Sequence, residues 1–138
     1  MTSPLERLAG PGKALVAEPP DRKEFAGLKR SALPRLEDAG NAANSLESRF
    51  DLVYNAALAL AALRYRGFRP SNRYIVFQVL PLTLGVGPEV WRVLAKGHEI
   101  RNLGEYEGDL NIDERIVADM IAACRIVAAK LNELPALR

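Results

Sequence analysis

Apolar residues along this chain recur every three to four positions, and stretches of Ala and Leu outnumber clusters of β-branched residues. That period predicts helices and no strand. Asp21 and Glu24 have the spacing of an N-terminal capping pair and open a helix to about Ala39, which Pro34 is expected to kink or divide. Gly40 and Asn41 end it. Ser45 caps a long helix from Leu46 to about Arg66, stopped by Gly67 and Pro70. It is apolar on most sides, through Phe50, Val53, Leu58, Leu60 and Leu63, and is the expected central helix. Ser71 caps a third, Asn72 to Leu84, interrupted by Pro81. Pro88 opens a fourth, reaching about Leu103. Tyr106 to Asn111 form an acidic loop, and Asp113 to Leu134 a fifth helix with Ile116, Met120, Ala123, Val127 and Leu134 on one face. Residues 1–20 carry Gly10, Pro11, Gly12, Pro19 and Pro20 and are expected to be a flexible N-terminal arm with one short turn at Pro4 to Leu8. The expected fold is all-α: an antiparallel helical bundle of four to five helices over residues 21–138.

Composition narrows the chemistry more than the fold. The 138 residues suit one domain, and 49% apolar with 26% charged residues describe a packed chain rather than a disordered one. Nineteen Lys and Arg against seventeen Asp and Glu leave a net charge of +2, which points neither to a nucleic-acid coat nor to an acidic partner. The single cysteine, Cys124, excludes an internal disulfide. With one histidine, His98, the chain has too few ligands for a Cys/His zinc site or for a carboxylate bundle built on Glu-x-x-His pairs. No metal and no cofactor are expected. There is no apolar run of about 20 residues to span a membrane. Met1 to Gly10 lacks the apolar core of a secretory signal, so the expected setting is the cytoplasm, with no membrane partner.

Charge is placed unevenly. No acidic residue lies between Asp51 and Glu89, and that stretch holds Arg64, Arg66, Arg69 and Arg73, interleaved with Tyr65, Phe68 and Tyr74. Guanidinium groups pair with phosphates and aromatic rings stack on unpaired bases, a mixture suited to single-stranded nucleic acid. The same arginines could instead solvate a loop and cover apolar edges with their stems. Glu105, Glu107, Asp109, Asp113, Glu114 and Asp119 crowd the turn before the last helix. The two patches could meet across a symmetric dimer, or one could bind a separate protein.

The segment Pro88 to Gly108 holds the most pointed signal. On a helical wheel Arg101 falls about 20° from Val90, in the middle of the apolar stripe formed by Ile100, Val93, Gly97, Leu94 and their neighbours. A guanidinium there is expensive unless paired or facing a shared cleft. It could pair with Glu105 or with Asp51, or the helix could end near Ile100 and return it to solvent. His98 lies three residues before it, either as a hydrogen-bonded, partly buried histidine or as a chemical group. Gly97 removes a side chain one turn earlier, so that a neighbouring helix or a ligand can come close.

Arg101-Asn102, followed by Tyr106 and Gly108, sits in the penultimate helix. Upstream, Arg49-Phe50 and Tyr54-Asn55-Ala56-Ala57 precede Gly67-Phe68-Arg69-Pro70. Together these resemble the HEPN superfamily, the higher-eukaryote and prokaryote nucleotide-binding domain group, over roughly Asp21 to Leu134. The resemblance implies an antiparallel bundle, a homodimer with a cleft at the two-fold axis, and often a metal-independent ribonuclease of toxin–antitoxin, phage-defence or RNA-processing systems. The family motif is an arginine, a polar residue and, a few residues on, a histidine. Arg101 and Asn102 match; Tyr106, followed by Glu107 and Gly108, stands where the histidine is expected. Tyrosine, with a pKa near 10, is a poor general base.

Three functions remain open on this reading. The first is a non-catalytic HEPN-like module, dimeric, binding RNA, a nucleotide or a partner such as a cognate antitoxin or nucleotidyltransferase. The second is a ribonuclease in which Arg101 stabilises the phosphorane, Asn102 or Tyr106 orients the phosphate and His98 moves the proton. The third is a structural or antitoxin-like scaffold with Arg101 in an internal ion pair.

Overall fold

Asp21 accepts hydrogen bonds from the backbone N–H groups of Lys23 and Glu24, at 2.8 and 3.1 Å, and so starts helix α2, Arg22–Ala39, as the capping pair predicts. The computed structural model describes residues 3–56, 58–108 and 111–137, apart from the side chains of residues 105–107. Pro34 neither divides nor ends α2. It is exposed, and so is Arg30, whose carbonyl Pro34 cannot serve, so the missing bond falls where water replaces it.

The expected long central helix is two. Ser45 caps α3, Leu46–Tyr54, and α4 follows at Leu58–Tyr65. At the break, the Asn55 side-chain amide donates to the Asp51 carbonyl at 2.9 Å, giving the chain a local alternative to helical bonding. The third expected helix is interrupted near Pro81, as its sequence implies, and forms two short ones, α5 at Ile75–Gln78 and α6 at Leu80–Leu84. Ser71 does not cap it: its hydroxyl donates to the Lys13 carbonyl, and Asn72 accepts the Ile75 N–H. Helix α7, Pro88–Glu107, runs past Leu103 and stops only at Gly108, whose φ of 77° suits glycine. Asp113 caps α8, Glu114–Glu133. Of the expected acidic loop, residues 109 and 110 lie outside the description.

The expectations of a strandless chain and a flexible arm are corrected by the N-terminus. After α1, Pro4–Arg7, strand β1, Leu15–Ala17, pairs antiparallel with β2, Phe68–Pro70, with Val16 opposite Arg69. Leu5 and Leu15 are buried in the core. Gly67 (φ 89°) ends the α4 turn, and its carbonyl accepts the Glu18 N–H.

Helix α8 packs against α7, α3, α2 and α4, and its Val117, Met120, Val127 and Leu131 join Phe50, Val53, Leu63, Leu80 and Val90 in the core. A Cβ on Gly97 would lie 2.5 Å from the Met120 methyl, so the absent side chain admits the neighbouring helix α8. Arg49 is buried, donating to the Ala39 carbonyl at the end of α2 and to both Glu114 oxygens at the start of α8. The molecule is mostly helical, and no helix among the described residues is long and apolar enough to cross a membrane.

Candidate functional site

Residues three and four apart on a helix share a face, and on α7 that places His98, Arg101 and Asn102 together. They face the last turn of α3. There Tyr54 stacks on Phe50, with ring centroids 6.2 Å apart, and on the His98 imidazole at 6.1 Å. The imidazole is also enclosed by Tyr74 at 5.3 Å and Phe77 at 5.9 Å, and His98 is only 7% exposed.

Both His98 nitrogens are engaged. Nδ1 lies 3.0 Å from the Tyr54 hydroxyl and Nε2 lies 3.1 Å from the Asn102 amide nitrogen. With that amide donating to Nε2, Nδ1–H donates to the phenol oxygen. With the amide turned over, Nε2–H donates to its oxygen and the phenol donates to Nδ1. Either way the ring holds Tyr54 and Asn102 in place.

Arg101 is half-buried rather than sunk in the apolar stripe. Its Nη1 donates to Asp51 on α3, and its guanidinium lies 5.7 Å from the centre of the Tyr54 ring. Arg73 lies 5.2 Å from the same ring, and its Nη2 donates to Asn55 Oδ1 at 3.4 Å. One phenol ring thus gathers two cations. Among the described residues no carboxylate pairs with Arg73.

The other arginines of the basic stretch do other work. Arg64 is 2% exposed, and its five N–H groups are spent on the Glu24 and Glu18 carboxylates and on the carbonyls of Glu18, Pro19 and Phe68. It offers no surface to a phosphate. Arg69 bonds Glu18 at 2.7 Å and Glu24 at 2.9 Å. Arg66 donates twice to the Thr83 carbonyl near the end of α6. These side chains fasten the N-terminal segment and α6 to the helical core; only Arg73 of the four joins the Arg101 face. The Tyr106 side chain, also singled out by the sequence, lies outside the description, as does that of Glu105.

Sequence reasoning weighed Asp51 as a partner of Arg101 but gave Tyr54 no role. Tyr54 entered the sequence reading only within the string that carries the resemblance, and neither that string nor its spacing of four from Phe50 says which helix the ring meets. Among the described residues no group of three His, Cys, Asp or Glu side chains is placed to hold a metal ion. No family model, no curated protein and no solved structure matches this chain.

Proposed function

We propose that this chain is a HEPN-like, non-catalytic helical module that binds single-stranded RNA or a nucleotide through Arg73, Arg101 and Asn102 around Tyr54. The reading is carried by the two guanidiniums gathered on that one ring. Successive phosphates, or the phosphates of one nucleotide, neutralise two cations so placed, and a phosphate competes with Asp51 for Arg101. The exposed amides of Asn55 and Asn102 supply hydrogen bonds to sugar hydroxyls and base edges. His98 favours binding over proton transfer, because its buried ring is committed at both nitrogens to positioning its neighbours. Leu103, 57% exposed beside Asn102, offers apolar surface for a second copy, as a homodimer requires. A toxin–antitoxin or defence setting, with an antitoxin or nucleotidyltransferase partner, belongs to the same reading.

Titration of labelled single-stranded RNA in the presence of chelator tests it, following both affinity and RNA length. The expected result is binding without cleavage, weakened about tenfold or more in Arg101→Ala. Absence of binding to RNA and to mononucleotides, or binding indifferent to Arg101→Ala, overturns the proposal. Cleavage that vanishes in both Arg101→Ala and His98→Ala replaces it with the ribonuclease.

A further inference from the structure

Beside Tyr54 the core contains a cavity of about 120 Å³. Its walls are apolar: Leu58, Val76, Phe77, Leu94, Met120 and Cys124. Its rim is different, for Tyr54, Asn55 and Arg73 also line it, and Asn55 and Arg73 are exposed. An apolar cavity of about 150 Å³ stays dry and admits a benzene ring; this one is somewhat smaller but opens at the exposed Asn55 and Arg73, so a single small ring enters with its polar end left at the rim. A nucleobase suits the walls poorly, since its polar edges would lose water and find few partners. Burial pushes the Cys124 thiol up to about 12, so it serves as wall and not as nucleophile. Arg73 supplies one fixed positive charge at the rim, with no carboxylate among the described residues to neutralise it. Apolar walls with one oriented charge are the usual composition of a small-molecule site.

We propose that this cavity binds a small amphiphilic anion, with one apolar ring against Leu94 and Met120 and its carboxylate or phosphate on the Arg73 guanidinium. The site shares Arg73, Tyr54 and Asn55 with the face assigned to RNA but makes no use of Arg101, and its apolar walls stand whether or not RNA binds there.

The chain has two methionines, Met1 and Met120, so methyl-labelled methionine gives a spectrum in which one resonance reports the cavity wall. Benzoate and phenyl phosphate, titrated separately into the full chain, distinguish carboxylate from phosphate; toluene and adenosine monophosphate serve as the neutral ring and the polar ring. The expected result is a saturable ring-current shift of the Met120 methyl with benzoate or phenyl phosphate, and none with adenosine monophosphate at equal concentration. Arg73→Ala, at an exposed position, is expected to weaken the anion about tenfold and leave toluene unchanged. Arg101→Ala is expected to weaken RNA binding about tenfold or more yet keep the benzoate shift, which distinguishes the cavity from the RNA reading although both use Arg73. A Met120 methyl unmoved by either anion at millimolar concentration overturns the proposal, as does anion affinity indifferent to Arg73→Ala. A shift with adenosine monophosphate alone also overturns it and makes the cavity a base pocket.

Discussion

Arg101 on α7 is ion-paired with Asp51 on α3, and the same guanidinium lies 5.7 Å from the Tyr54 ring one turn further along α3. The pair is part-exposed, with 30% of the Arg101 and 46% of the Asp51 side chain accessible, so it contributes only about 0–1 kcal/mol to stability. Arg101→Met is therefore expected to shift the free energy of unfolding by no more than about 1 kcal/mol in urea titration, while RNA affinity collapses. Unchanged affinity would identify the scaffold reading instead.

Asp51→Asn removes the carboxylate that competes with phosphate. RNA affinity is expected to rise about three- to tenfold, measured at low salt. A fall would mean that Asp51 orients Arg101 for its ligand rather than competing with it.

Tyr54→Phe deletes the hydroxyl beside His98 Nδ1 but keeps the stacked ring. One nitrogen of a buried imidazole is then left without that partner, at a cost of about 1–3 kcal/mol. Calorimetric unfolding checks this, and RNA affinity is expected to change far less than in Arg101→Ala, because both guanidiniums keep their aromatic support.

Acid should loosen the N-terminal segment first. The Arg69 guanidinium, and less strongly Arg64, hold the Glu18 carboxyl below its ordinary 4.5, while Arg64 and then Arg69 do the same for Glu24. Both groups are lowered on folding, so their contribution is complete above pH 4.5 and is lost as pH falls through the depressed values. Denaturant midpoints are expected to decline below that pH, and Glu24→Gln to lower the midpoint at pH 7 while flattening the decline. An equally steep acid limb in Glu24→Gln would place the titrating groups elsewhere.

Gly97→Ala sets two effects against each other. Alanine favours the helix by about 1 kcal/mol, but its methyl displaces the end of Met120, which lines the cavity and can swing into it. The variant is expected to unfold within about 1 kcal/mol of the parent and to bind benzoate less well. A loss beyond about 3 kcal/mol would show that Met120 has no room to move.

Helix boundaries at Asp21, Ser45, Pro88 and Asp113 were legible because a cap or proline is a local signal, read without knowing what packs nearby. The interruption of the third helix was legible for the same reason, since Pro81 sits in the first turn of α6. The break at Asn55 was not, because an asparagine that bonds its own backbone leaves the apolar period intact. Strand β1 is three residues long, too short for an alternation pattern, and it pairs with a segment some fifty residues away. At the candidate site, the misplaced Arg101 was visible on the wheel because its cost is local to one helix. Its resolution by Asp51, and the gathering of Arg73 onto Tyr54, depend on how α3, α5 and α7 meet. The arginine-rich stretch shows the converse: composition counts Arg64 and Arg69 as a basic surface, while the fold spends them on Glu18 and Glu24.

The salt dependence of single-stranded RNA binding tests the central claim most directly. Each arginine that meets a phosphate contributes about 0.7 to the slope of log affinity against log salt for a single strand. The account predicts that Arg73→Ala and Arg101→Ala each lower the slope by about that amount, and that the double variant loses both increments. Slopes identical to that of the parent chain would contradict it, because the RNA would then be held by charges other than the two gathered on Tyr54.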